Sequence, residues 1–124
     1  MKTKTSRKTG FTLVEIMIVV AIIGLLATIA IPNFVRARLK AQQAACINNL
    51  RQIDGAVQQF ALENKKGPAD PVTFNDISNY LKNAVICPSG GTAFSDSYTI
   101  SDVATKPLCQ KVAGTHILPL DTTL

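Results

Sequence analysis

Three cysteines and one histidine are the side chains of this 124-residue chain that are best suited to chemistry. Zinc accepts a set of three cysteines and one histidine, and the residues in question are Cys46, Cys87, Cys109 and His116. No two of them are two to four positions apart, although zinc sites commonly contain such a pair. The spacing therefore favours a disulfide and a separate core thiol, and we expect neither a metal nor a cofactor.

A predicted hairpin indicates which cysteines would pair. Cys87 and Cys109 flank this hairpin and would close it, whereas Cys46 lies on an apolar helix face and is typical of a small core residue. We predict a Cys87–Cys109 disulfide, with Cys46–Cys87 left open as the alternative. His116 lies beside a glycine turn, so we expect a solvated or capping histidine. A single histidine there supports no catalytic triad, and no enzymatic activity is predicted.

A single acid interrupts a long apolar run near the start of the chain. The run extends over residues 11–31, and Glu15 is its one charged residue. About 20 apolar residues are enough to span a bilayer as a helix, and an acid within such a helix costs about 2.5–3.5 kcal/mol on insertion scales. An intramembrane acid is therefore a functional hypothesis that requires a partner. Four basic residues precede the run, and they favour a cytoplasmic N-terminus: Lys2, Lys4, Arg7 and Lys8.

Two simpler interpretations of this stretch explain it less well. A secretory signal peptide has an apolar core of about 7–15 residues and a small-residue cleavage site, whereas this run is longer and no clean site of that kind ends it. An ordinary single-span anchor explains the length but leaves the cost of Glu15 unexplained. A third interpretation supplies the partner, a positive charge from another copy of the chain.

The residues around Gly10 resemble a known processing motif. The sequence Lys8-Thr-Gly10-Phe11-Thr-Leu-Val-Glu15 is similar to that of type IV prepilins and of type II secretion pseudopilins. The resemblance implies that a membrane peptidase cuts after Gly10 and methylates the new amino group of Phe11. It also implies that Glu15, the fifth mature residue, guides assembly, because the protonated Phe11 amine of a neighbouring subunit can offset its charge.

This resemblance implies a structural subunit of a helical filament outside the cytoplasm. The expected partners are further copies of the chain, the prepilin peptidase, an inner-membrane assembly platform and minor pilins. The expected location is the inner membrane, in a single pass, followed by a periplasmic or extracellular filament. The alternatives are a minor or initiating pilin, or a monomeric anchored redox or metal module. Without residues 1–10 the charged side chains nearly balance, with nine basic and eight acidic residues, so no nucleic-acid partner is expected.

The predicted fold is α+β, with one long helix and a small antiparallel sheet packed on it. Residues 1–10 would be the leader, 11–32 the membrane and filament-core helix, 33–64 its amphipathic continuation, and 65–124 the C-terminal head. Within the core helix, the stretch from Gly24 to Pro32 could unwind in a filament, as the family resemblance implies, or Pro32 could only kink it gently. The outer half has an apolar stripe with a helical period, formed by Leu39, Cys46, Leu50, Ile53, Val57 and Phe60.

Shorter elements are predicted in the head. Thr73 and Asp76 form a helix N-terminal cap pattern, followed by a short helix through Lys82. Residues 97–103 read as a strand, and residues 108–112 as the strand that pairs back with it. The cysteine-containing turn and the tail also resemble, loosely, the short G-like pilin-type chains.

Overall fold

A single helix, α1, runs from Leu13 to Glu63 and contains Pro32 in its interior. The computed structural model describes residues 9–119, so most of the predicted leader 1–10 and the end of the predicted head 65–124 lie outside the described residues. The helix predicted over residues 11–64 is confirmed apart from its terminal residues. The described residues divide into two compact units between Ala37 and Arg38.

In the first unit the apolar side chains of α1 are exposed. Leu13 is 77% exposed, and Leu25 and Ile31 are exposed as well. By length and composition, α1 contains a segment that could cross a membrane, and none of that segment is buried within the chain. This exposed apolar surface therefore requires a cover from outside the chain, such as lipid or other helices.

In the second unit one face of α1 is buried, as the helical period of its apolar residues predicts. This face packs against residues of the C-terminal segments, among them Ile77 and Tyr98. The predicted α+β fold, with a small sheet beside a long helix, is confirmed. Four predicted stripe positions are buried and Phe60 is partly buried; the buried ones are Cys46, Leu50, Ile53 and Val57.

Leu39 does not belong to this buried face. Its side chain is 58% exposed, so the prediction that it continues the stripe is wrong. The C-terminal loops contact α1 by hydrogen bonds from the next turn onward. There the Gln42 amide donates to the Pro88 carbonyl at 3.4 Å, and the Gln43 amide donates to the Thr115 carbonyl at 2.9 Å.

Regular elements are short in the C-terminal part of the chain. They are α2 (Phe74–Ile77), a 3-10 turn (Ser78–Tyr80), α3 (Phe94–Ser97), β1 (Tyr98–Thr99) and β2 (Leu108–Cys109). The helix predicted to continue through Lys82 therefore ends earlier. The Thr73 cap is present in part, because the Asp76 carboxylate accepts hydrogen bonds from both the amide and the hydroxyl of Thr73.

The sheet is smaller than predicted, although its position is correct. β1 and β2 pair antiparallel, with Tyr98 opposite Cys109. The predicted strand over residues 97–103 stops after Thr99, because the backbone beyond it pairs with a different segment. The Val72 amide donates to the Ser101 carbonyl at 2.9 Å, and an isolated antiparallel bridge joins Pro71 to Asp102.

Candidate functional site

The backbone around the predicted cleavage bond lies outside regular structure. Gly10 and Phe11 are exposed and precede the first turn of α1. A Cβ atom added to Gly10 would meet nothing within 4 Å. The fold of the single chain therefore does not require glycine at this position, which leaves the residue free to serve recognition.

Glu15 closes the first turn of α1. Its carboxylate accepts a hydrogen bond from the Thr12 amide at 2.8 Å, and its own amide donates to the Thr12 hydroxyl at 3.3 Å. This reciprocal pair is a capping box, with Thr12 as the N-cap and Glu15 three residues later. The pattern Thr-x-x-Glu in the sequence signals this capping role, which was not among the roles predicted for Glu15.

The helical backbone continues through the segment that could unwind. Gly24 and Pro32 both lie within α1, and the Thr28 hydroxyl donates to the Gly24 carbonyl at 2.8 Å. Pro32 has no amide hydrogen, so it cannot donate to the Thr28 carbonyl as a regular helix residue would. Unwinding between Gly24 and Pro32 remains a prediction.

The fold of the second unit brings the three cysteines and His116 together. Their potential ligand atoms all lie within 4.8 Å of one another, and all four side chains are buried. The Cys87 sulfur lies 3.5 Å from that of Cys109 and 3.8 Å from that of Cys46. The four residues thus form a compact cluster, although their sequence spacing predicted none.

The cysteines of this thiol–histidine cluster are free thiols. In the structure the Cys87 and Cys109 sulfur atoms are joined by a thiol hydrogen bond and not by a covalent bond, and the Cys87–Cys109 disulfide stays a prediction. The pairing of β2 with β1 places Cys109 opposite Tyr98, and Cys46 lies on the buried face of α1. The predicted hairpin correctly implied that Cys87 and Cys109 are neighbours, but it did not indicate that Cys46 lies beside Cys87 as well.

His116 was expected to be a solvated or capping residue, and that expectation is wrong. His116 is buried, with only 4% of the residue exposed. Its Nδ1 atom has no hydrogen-bond partner among the described residues. Buried polar atoms are normally paired, so an exception of this kind needs an explanation.

A tight turn positions Cys87. The Gly91 amide donates to the Cys87 carbonyl at 2.9 Å, and Gly90 adopts a positive φ of 103°, which glycine tolerates without strain. A Cβ atom on Gly91 would lie 2.9 Å from the backbone nitrogen and oxygen of Cys87 and 2.2 Å from the Ser97 hydroxyl oxygen. Both glycines are therefore needed for the turn that holds this thiol.

Burial governs the ionisation of the cluster. It raises the pKa of the Cys46 thiol to about 12 and also raises the pKa of Cys87. At Cys109 burial acts in the same direction, but hydrogen bonds from the Val112 amide and from the other two thiols lower its pKa on balance. Tyr98 donates a hydrogen bond to the Cys46 sulfur at 3.7 Å. Because its pKa is lowered while the other two are raised, Cys109 is the thiol of the cluster that is easiest to deprotonate.

A family model described as "Prokaryotic N-terminal methylation motif" matches residues 5–31. This chain carries a prokaryotic N-terminal methylation motif. The methylation motif includes Gly10, Phe11 and Glu15, and it continues through the apolar part of α1 to Ile31.

Relatives of the chain are named as a pilin protein and as secretion-system core proteins. The chain is 47% identical over 60 residues to the type IV major pilin protein PilA of Myxococcus xanthus. The aligned stretch covers 48% of this chain and 27% of the relative. It is 37% identical over 62 residues to the type II secretion system core protein G of Klebsiella pneumoniae, covering 50% of this chain and 44% of the relative. The protein of that name from Vibrio cholerae is 35% identical over 65 residues, or 52% of this chain and 44% of the relative. The chain thus spans less than half the length of each of these relatives, and no solved structure matches it.

Proposed function

We propose that this chain is a structural subunit of a helical filament outside the cytoplasm, either a type IV pilus or a type II secretion pseudopilus. The observation that carries the proposal is the methylation motif of residues 5–31, which leads directly into a membrane-length helix whose apolar side chains are exposed. Helices of this kind, packed side by side, would cover one another. The names of the relatives support a filament subunit and do not favour an anchored redox module.

Processing would occur between Gly10 and Phe11. Water adds across the amide bond, which leaves a carboxylate on Gly10 and an amine on Phe11, and a methyl donor then transfers one methyl group to that amine. The exposed, non-helical backbone at these residues supports access by a peptidase. Cleavage would leave a positive charge at the membrane edge, since an unperturbed α-amino group has a pKa of about 7.7–8.0.

Assembly would then match charges between subunits. The Glu15 carboxylate uses one oxygen in its capping hydrogen bond with Thr12, and a carboxylate offers about four lone-pair sites. It can therefore keep its cap and also accept the Phe11 amine of a neighbouring subunit. An unpaired charge in such a core would cost about 3–5 kcal/mol, which would favour the correct axial register of the subunits.

The proposed location follows the same sequence of events. The precursor would be held in the inner membrane in a single pass, with its N-terminus in the cytoplasm until cleavage. An inner-membrane assembly platform would then add mature subunits to a periplasmic or extracellular filament, with minor pilins as further partners.

Intact mass spectrometry of membrane-extracted protein tests the proposal. In cells that contain the prepilin peptidase, we expect a mature chain that begins at Phe11 and carries one methyl group, together with sheared filaments that contain it. Gly10→Val should leave an uncut precursor and no filaments. Gly114→Val is the matched control, because a Cβ atom there also meets nothing within 4 Å, and it should be processed normally. A wild-type mass that retains residues 1–10 would contradict the proposal.

A further inference from the structure

We propose that Cys46, Cys87, Cys109 and His116 form a tetrahedral, structural zinc site in the second unit of the chain. The inference is independent of filament assembly, because all four residues belong to one compact unit that begins at Arg38. It concerns what holds the C-terminal segments on α1. Four points support it: distances, the unpartnered histidine, the surroundings of the sulfur atoms, and the sparse regular structure of this unit.

The sulfur–sulfur distances are those of a tetrahedral edge. A zinc–sulfur bond is about 2.3 Å, so two sulfur ligands of a tetrahedral ion lie about 3.8 Å apart. The Cys87 sulfur lies 3.8 Å from the Cys46 sulfur and 3.5 Å from the Cys109 sulfur. The four potential ligand atoms span at most 4.8 Å, so a central ion can reach all of them with small adjustments.

His116 gives an independent reason for a metal. A buried thiol needs no partner, because free cysteine behaves as a small apolar residue. A buried imidazole nitrogen does need one, and Nδ1 of His116 has none among the described residues. His116 is the residue that completes the ligand set, so coordination of a metal ion through Nδ1 would satisfy this atom.

The surroundings of the sulfur atoms suit thiolates. Tyr98 donates to the Cys46 sulfur and is itself held by the Asn49 amide at 3.0 Å. Such outer hydrogen bonds orient metal ligands and stabilise their charge. The Cys46 sulfur therefore has an outer donor that a thiolate would use.

The ligand type and closure indicate zinc in a structural role. Three cysteines and one histidine are a structural zinc set, and four protein ligands leave no open position for a substrate. Calcium and magnesium are hard ions that prefer oxygen ligands, so a site with three sulfur ligands disfavours them. The metal would join α1, the turn after Ile86, β2 and the turn before Ile117, which are segments with few regular hydrogen bonds between them. Small units of this kind often depend on such a cross-link.

Metal content of the full chain, purified in detergent without an affinity tag, tests the site. We expect one zinc per chain by elemental mass spectrometry. Replacement of zinc by cobalt should give the visible absorption of tetrahedral cobalt and a thiolate-to-cobalt charge-transfer band. The three thiols should react with iodoacetamide only after a chelator has removed the metal.

Two variants at one position separate coordination from packing. His116→Ala should lower the bound zinc from one per chain to near zero, whereas His116→Cys should retain it as a four-cysteine site with a stronger charge-transfer band. Asp96→Asn is the control, because this carboxylate lies outside the ligand set, and it should keep one zinc. These comparisons do not depend on every variant folding, because the wild-type measurements already decide the question.

Several results would overturn the proposal. Wild-type chain with free thiols and no bound zinc after incubation with excess zinc would do so. Recovery of a Cys87–Cys109 disulfide peptide from metal-free, folded protein would do so as well. Equal rates of thiol alkylation with and without added zinc, or zinc retained in full by His116→Ala, would also contradict the site.

Discussion

Glu15 caps α1 in the single chain, and in the proposed filament it would have a second task. In the single chain its carboxylate closes the first turn of α1 through Thr12, and in the proposed filament it would also meet the Phe11 amine of a neighbour. Removing the acid therefore changes both helix capping and charge. A useful experiment must separate these two effects, and the residues around Glu15 allow it.

Glu15→Gln keeps an oxygen that can accept the Thr12 hydrogen bond but removes the charge, so we expect normal insertion and cleavage with little filament. Thr12→Val removes the hydroxyl half of the cap and keeps the charge. It should cost about 0.5–2 kcal/mol of helix stability but leave assembly largely intact. The measurement is sheared filament relative to total membrane subunit.

Two further substitutions complete this series. Glu15→Leu should insert more easily by about 3 kcal/mol and yet assemble as poorly as Glu15→Gln. Glu15→Asp, one methylene shorter, should give an intermediate yield. Equal filament yields from all the Glu15 variants would show that the acid does not guide assembly, and the filament proposal would then rest on the methylation motif alone.

At the scale of elements, α1 contains a weak segment that is nonetheless helical. Pro32 cannot donate to the Thr28 carbonyl, and Gly24 lowers the helix propensity of the same stretch. The Thr28 hydroxyl donates a hydrogen bond to the Gly24 carbonyl, so this carbonyl oxygen is shared with a side chain. The segment could therefore unwind at a lower cost than the rest of the helix.

If the filament requires this unwinding, Gly24→Ala should oppose it, because alanine favours an interior helix position by about 1 kcal/mol over glycine. We expect fewer sheared filaments from Gly24→Ala at an equal amount of membrane subunit. Gly55→Ala is the matched control, since a Cβ atom meets nothing within 4 Å at either glycine. Equal yields from both variants would instead favour a gentle proline kink.

How far each element could be predicted depends on how local its signal is. The long helix and its buried face were predicted from periodicity, and β1 and β2 were placed correctly in the sequence. The thiol–histidine cluster could not be predicted, because Cys87 and His116 lie in loops with no periodic pattern. The paths of these loops depend on distant contacts, such as the hydrogen bonds from the Asn49 amide to the Ile86 carbonyl and from the Gln43 amide to the Thr115 carbonyl.

At the scale of the whole molecule, much of the C-terminal part is held by side chains that bond to turns. Three carboxylates, Asp76, Asp96 and Asp102, accept hydrogen bonds from residues close to them in the sequence, and these bonds lower their pKa values. Asp96 also lies 3.3 Å from the Lys111 ammonium. Protonation of these carboxylates in acid should therefore weaken several turns of the unit together and lower its stability.

The sign of this response follows from the direction of the shifts. A carboxylate whose pKa is lowered by folding adds stability above its ordinary pKa of about 3.9, and this stability is lost as the pH falls below that value. We expect the melting temperature of Asp96→Asn to lie below that of wild type at pH 6. The difference between the two melting temperatures should be smaller near pH 3. Asp54→Asn, which breaks a surface ion pair with Lys106, is the control and should change little.

Thermal unfolding followed by circular dichroism would measure this effect. Wild type and Asp96→Asn should be compared at each pH with the same zinc content, so that any loss of metal in acid affects both equally. A difference between the two proteins that stays constant from pH 6 to pH 3 would contradict the role assigned to the Asp96 carboxylate.

The burial of Tyr98 beside the cysteines gives the molecule an optical property of its own. The chain contains no tryptophan and two tyrosines, so its ultraviolet emission comes from Tyr80 and Tyr98. Tyr80 donates a hydrogen bond to Glu63 near the end of α1, whereas the Tyr98 hydroxyl contacts the Cys46 sulfur. With Tyr80 replaced by phenylalanine, the remaining phenol would act as a built-in fluorophore whose brightness depends on the electronic state of the sulfur next to it.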